Sequence, residues 1–179
     1  MQTIYWTTYD FDDITLHLAA SDKGLCRVAL PNESLEFMHQ WVQTQFPQAV
    51  WMRDDDQLQP YSVQFEEYFS GHRRVFSLPL DMRGTPFQVA VWEWLGRIPY
   101  GEVWAYSDIA EKLGNPKAVR AVGAANGQNP LPVALPCHRV IGKDGSLTGF
   151  RGGLRLKEKL LQLEGVTRFE FLGHAQFNF

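Results

Sequence analysis

The apolar pattern of this chain changes period along its length, and that change restricts the possible folds more than any other feature. Residues 4–9, 14–20 and 25–30 are short apolar or β-branched runs, separated by Asp12-Asp13 and by Asp22-Lys23-Gly24. Runs of this kind between turn formers read as strands, here a three-stranded meander. The period then becomes helical. Leu35, Met38, Trp41, Val42 and Phe46 share one face of a helix over 33–46, and Tyr61, Phe65, Tyr68 and Phe69 share another before Gly71. Strands followed by amphipathic helices make a small α/β domain of about 80 residues, in which the aromatics serve as core.

A second domain is expected after a linker at 78–84, which contains Pro79, Arg83 and Gly84. The boundaries drawn from the pattern are 1–80 and 81–179, giving an α+β protein whose second half is mainly helical. Thr85 should cap a helix opened by Pro86, with Phe87, Ala90, Val91, Trp94 and Leu95 on one face and Pro99-Tyr100-Gly101 after it. Two short helices follow, 106–113 and 117–126, around Gly114-Asn115-Pro116. Asn115 is placed to cap the second and Pro116 to open it. The pair is a helix-turn-helix candidate.

Composition narrows the functional classes. Apolar residues are 45% of the chain and charged residues 21%, the balance of a folded globular protein. No run approaches the roughly 18 apolar residues of a membrane helix, and residues 1–9 lack a secretion signal, so a cytoplasmic location without membrane partners is expected. Cys26 and Cys137 stand far apart with no C-x-x-C pair, which argues against a disulfide framework and against structural zinc. The formal charge of -3 is unevenly spread: residues 1–80 hold 5 Lys/Arg against 11 Asp/Glu, and residues 101–159 hold 9 against 5. A polyanion would meet its favourable field in the second half.

The helix over 117–126 presents Ala118, Ala121, Gly123, Ala124, Ala125 and then Gly127, with Arg120 as the long exception. Major-groove readers send several long polar side chains to base edges, whereas a small-residue surface suits close packing against a helix or a narrow minor groove. Segment 129–142, NPLPVALPCHRVIG, reads as a buried strand holding Cys137, His138 and Arg139. Buried cysteine is usually inert. Neighbouring His138 and Arg139 could instead favour a thiolate nucleophile. Successive strand residues point to opposite faces, so unless the strand bends there a bridging group is needed between His138 and the sulfur; water can act as that bridge, with a carboxylate behind the imidazole. Glu164 is one candidate among several for that carboxylate.

With these residues the chain resembles the O6-alkylguanine-DNA alkyltransferases, the methylated-DNA–protein cysteine methyltransferases. The similar stretches are GTPFQ at 84–88, IPYGEV at 98–103, Tyr106, NPKAVRAVGAANGQNP at 115–130, PCHRVIG at 136–142, then TGFRGG and KEKLLQLEG up to Gly165. LAASDKGL at 18–25 is a looser match in the first half. The resemblance implies a ribonuclease-H-like N-terminal domain, followed by a winged helix-turn-helix-like domain carrying the active site. It implies irreversible transfer of an alkyl group from O6-alkylguanine in duplex DNA onto Cys137, with O4-alkylthymine a second candidate substrate. His138 would be the base acting through water, and Glu164 would polarise it. Tyr106 would crowd the phosphate and donate to the departing guanine. Arg120 would fill the stack after base flipping, on a minor-groove surface with Ala121, Gly123 and Ala124. Asn129 would brace the turn, while Val140 and the backbone of Phe150 and Arg151 would line the guanine pocket. No cofactor and no metal are implied, and a monomer is expected, with cooperative binding on DNA a further option.

The sequence departs from the family pattern in three places. Phe150 stands where many relatives have Tyr, Val119 is bulkier than the usual Ala, and the zinc-binding cysteine sets of some relatives are absent. The aromatic tail, 166–179, lies beyond the match and is expected only to pack on the surface. Three other readings compete: a non-enzymatic sensor of alkylated DNA, a helix-turn-helix regulator and a cysteine hydrolase. Sensors of the alkyltransferase-like type lack the acceptor cysteine that this chain has. One Arg on a small-residue helix offers a regulator little base readout. Hydrolase dyads usually join residues distant in sequence.

Overall fold

The computed structural model describes residues 1–167 and divides the chain into two compact units, the second beginning at Gly84. The first is built on a sheet ordered β3-β2-β1-β4, from β1 (Thr3–Phe11), β2 (Ile14–Ser21), β3 (Gly24–Ala29) and β4 (Val50–Arg53). The expected meander is present as antiparallel pairs, with Trp6 opposite Ala19 and Leu18 opposite Val28. β4 is an addition, parallel to β1, with Ile4 opposite Trp51. Its four residues are too few to show an alternating pattern.

Two helices cover the sheet. α1 (Leu35–Gln45) starts behind Ser34, whose hydroxyl accepts from Phe37 N at 3.0 Å. α2 (Asp55–Phe69) starts behind Asp54, whose carboxylate accepts from Gln57 N at 3.0 Å. It therefore begins earlier than the aromatic spacing suggests, and Pro60 lies inside it at the loss of one backbone bond. Side chains alternate across a strand. Ile4 and Trp6 accordingly pack with Ala19, Cys26, Met38, Val42 and Phe46 beneath α1. Thr7 and Tyr9 face the other way, Thr7 donating to Asp55 at 2.7 Å and Tyr9 stacking on Phe69 of α2.

The 78–84 segment is partly bonded and so is not a free linker. Leu25 N donates to the Pro79 carbonyl at 2.9 Å and Asp81 N to the Leu25 carbonyl at 2.8 Å, which lays the segment parallel along β3. Gly24 permits the approach. Its φ is +145°, and a Cβ there would stand 2.3 Å from the Pro79 oxygen.

The second unit opens with α3 (Pro86–Leu95), capped as expected by Thr85, while Gln88 returns a side-chain bond to the Thr85 N–H. A two-residue parallel pair, β5 (Trp104–Ala105) with β6 (Val140–Ile141), precedes and follows the helix-turn-helix. In that motif α4 (Tyr106–Lys112) is fixed by Asp108, which accepts from Ala105 N at 2.7 Å. α5 (Val119–Gly127) begins later than Lys117, and neither Asn115 nor Pro116 starts it. Ala118 N donates to the Asn115 carbonyl at 3.0 Å, so those residues close a turn of their own before the helix. α5 packs on α3 and α4, with Trp92 Nε1 donating to Ala125 O at 2.8 Å. α6 (Leu154–Leu163) completes the unit. Among the described residues no helix is long and apolar enough to cross a membrane, and no cluster of three His, Cys, Asp or Glu could hold a metal.

Candidate active site

Segment 129–142 is not a continuous strand. Pro130, Pro132 and Pro136 withhold N–H donors from any ladder. The chain instead turns on itself, with Val133 at φ 75° and Leu135 N donating to Leu131 O at 2.8 Å. Cys137–Arg139 form one 3-10 turn, all three side chains buried, and only Val140–Ile141 pair as β6. Strand alternation therefore does not decide where Cys137 and His138 point.

Behind the turn lies a buried ion network. His138 Nε2 is 2.6 Å from Glu164 Oε2, just past the end of α6. The same carboxylate accepts from Arg139 Nε at 2.7 Å, from Arg139 Nη2 at 3.1 Å and from Gly101 N at 3.2 Å. Arg139 Nη1 donates to the Ile98 carbonyl at 2.7 Å. Burial alone would raise the Glu164 carboxyl, but His138 and then Arg139 overcome it and hold the group at about 2. Burial pulls the His138 imidazole down, against the pull of Glu164. A carboxylate on Nε2 assigns the ring proton to that nitrogen and makes Nδ1 the basic one.

Arg139 is thus committed to Glu164 and does not serve the thiol as its sequence position suggests. The Cys137 thiol is pushed up by burial, and what opposes this is a hydrogen bond from Asn129 followed by the charges of Arg151 and Lys157. Asn129 also ties the turn together, donating to Leu135 O at 2.8 Å and accepting from Leu131 N at 3.0 Å. Lys157 is fully buried; its Nζ donates to Val140 O at 2.5 Å and to Thr148 O at 3.1 Å. Burial lowers this amine to about 8, and the nearby Cys137 resists the fall. Tyr106, 4% exposed, places its hydroxyl 2.8 Å from Thr148 Oγ1. Burial foremost raises it to about 12, so it is a neutral O–H donor at ordinary pH.

The structure therefore gathers Cys137, His138, Glu164, Tyr106, Asn129 and Val140 around one buried turn, with Phe150 and Arg151 half-buried in the loop after β6. On α5, Arg120, Ala121 and Ala124 are exposed with Lys117 and Gln128 on one side. Gly123 is buried, contrary to its expected place on that surface, because it shares the inward side with Val122, Ala125 and Asn126. Two residues of the site escaped the sequence reading. Thr148 carried no signal, but Lys157 sits three and four residues from Leu154, Leu160 and Leu161, a spacing that puts a lysine on a buried helix face. Val166 packs with Ile141, Leu147 and Leu161, so it belongs to the core; the tail from residue 168 on lies outside the described residues.

Residues 86–166 match the model of the 6-O-methylguanine DNA methyltransferase DNA-binding domain, and residues 4–82 match that of the corresponding ribonuclease-like domain. The chain is 48% identical over 162 residues to the inducible methylated-DNA–protein-cysteine methyltransferase of Bacillus subtilis, covering 90% of each chain. It is 40% identical over 169 residues to the Haemophilus influenzae methylated-DNA–protein-cysteine methyltransferase, covering 93% of this chain and 89% of that one. The crystal structure of the Mycobacterium tuberculosis O6-methylguanine methyltransferase superposes with a TM-score of 0.79 at 38% identity, over 94% of this chain and 96% of that one. A structure of the OGT of M. tuberculosis in complex with DNA gives 0.77 at 39% identity, over 89% and 92%. With nearly its whole length accounted for by the two domain models, the chain belongs to the 6-O-methylguanine DNA methyltransferase family.

Proposed function

We propose that this protein repairs DNA by moving an alkyl group from O6 of guanine to the sulfur of Cys137, one lesion per molecule. The observation that carries this reading is the chemistry around the buried 3-10 turn: a thiol beside Asn129 and two cations, next to an imidazole held by a carboxylate. His138 Nδ1 takes the thiol proton through a water, and Glu164 stabilises the imidazolium that forms. The sulfur attacks the alkyl carbon in line. As the S–C bond forms, the C–O6 bond breaks and its electron pair stays on guanine, where the Tyr106 O–H neutralises it. Burial of the Tyr106 hydroxyl favours this donor role over contact with a phosphate. The thioether has no ready leaving route.

A sulfur buried in this way can reach only a base taken out of the stack, at an extrusion cost of a few kcal/mol that a damaged pair lowers. Arg120 on the exposed side of α5, beside Ala121 and Ala124, suits entry from the minor groove and filling of the vacated stack. Val140, Phe150 and the Arg151 backbone line the guanine pocket, and Phe150 brings no hydroxyl to it. The DNA complex of the M. tuberculosis relative supports DNA as the partner.

The test is mass spectrometry after incubation with duplex DNA containing O6-methylguanine. A methyl group should map to Cys137 and be missing in Cys137→Ser. Binding without any mass change, the lesion persisting, would instead point to a damage sensor and end the transferase reading.

A further inference from the structure

We propose that Arg151 is a positioning residue for the transfer, clamping the turn that joins the recognition helix to the acceptor sulfur. Its Nη1 donates to the Asn129 carbonyl at 2.8 Å and to the Gly127 carbonyl at 3.2 Å. Gly127 is the last residue of α5, where unsatisfied carbonyls make a cation favourable. Asn129 is the brace whose side chain bonds both Leu135 and the Cys137 sulfur. One guanidinium thus fixes the end of the helix, the backbone of the brace and, through the brace, the nucleophile.

It also brings a positive charge to bear on the sulfur. The titratable and charged groups that bear on Cys137 are Arg151 from the loop after β6, Lys157 from α6 and Tyr106 from α4, with His138 and Glu164 next in the turn network. Lys157 can lose its proton near pH 8, and of the two cations only Arg151 carries a planar guanidinium fork. When Cys137 gives its proton to His138 and the electron pair of the broken C–O6 bond passes to guanine, the attacking thiolate faces that fixed cation. The inference rests on Cys137 as the alkyl acceptor.

The experiment follows two readouts in Arg151→Met and Arg151→Lys: the pH dependence of iodoacetamide labelling mapped to Cys137, and the rate with free O6-benzylguanine. In Arg151→Met the labelling inflection should move up by about half to one pH unit, lowering thiolate and rate at neutral pH about three- to tenfold. Arg151→Lys should restore the inflection without the full rate, because an ammonium lacks the planar fork. An unchanged inflection in Arg151→Met overturns the proposal, as does a wild-type rate in Arg151→Lys. If Arg151→Met does not fold, Arg151→Lys decides alone: a lowered rate supports the clamp and a wild-type rate removes it. Failure of the wild type to gain any adduct would sink the acceptor reading instead.

Discussion

Replacing Glu164 with glutamine tests whether the ion network behind Cys137 holds the second unit together. The carboxylate accepts from His138, twice from Arg139 and from Gly101 N, and its side chain is fully buried. Glutamine keeps one acceptor oxygen but sets an amide N–H2 against donors, leaving buried Arg139 without its counter-charge. A carboxyl held at about 2 rather than its ordinary 4.5 corresponds to about 3 kcal/mol of stability, which agrees with the 3–5 kcal/mol typical of breaking a buried pair from one side. For a unit on the order of 100 residues, about 3 kcal/mol lowers the melting temperature by roughly 12–24 °C. The sign with pH follows from the depressed value. Stability from Glu164 is complete above about 4.5 and is lost as the pH falls toward 2, so wild type and Glu164→Gln should converge in acid. Thermal melts by circular dichroism at pH 7 and near pH 3 measure both effects. A loss below about 3 °C at pH 7, or an equal loss at both pH values, would refute this account.

Arg120→Ala should slow repair of duplex O6-methylguanine far more than reaction with free O6-benzylguanine, since only the duplex requires extrusion; equal losses would remove the proposed finger role. Tyr106→Phe keeps the ring but loses the hydroxyl on Thr148, and should slow transfer on the order of 100-fold at saturating substrate. A rate within a factor of two of wild type would mean that another group neutralises guanine. Gly24→Ala forces a Cβ to 2.3 Å from the Pro79 oxygen at a φ of +145°, and should cost about 2 kcal/mol or more in urea unfolding. An unaffected midpoint would show that the 79–81 segment yields easily.

The sequence made legible whatever depends on local pattern. The meander and the Thr85 cap announce themselves through period and capping chemistry, and the two helices flanking the turn at Gly114 through period alone, since Asn115 and Pro116 lie ahead of the second helix rather than starting it. β4 and the early start of α2 do not, because a four-residue edge strand has no alternation and Pro60 interrupts the helical pattern. In the site, Cys137 and His138 stand out by type and adjacency. The same adjacency misleads for Arg139, which turns to Glu164, while the cations that act on the sulfur arrive from 14 and 20 residues away in Arg151 and Lys157. Tertiary contact, not sequence distance, sets the field at a buried atom.

The bonding of Pro79 and Asp81 to Leu25 bears on how this protein survives in a crowded solution. Exposed sheet rims recruit strands from neighbouring molecules. Here one rim is paired at Leu25 by the chain's own backbone and the other ends in the four residues of β4, whose Met52 and Arg53 face solvent. Self-association through the rims is thereby discouraged, and a protease reaching 79–81 meets peptide bonds tied to Leu25 rather than hanging loose.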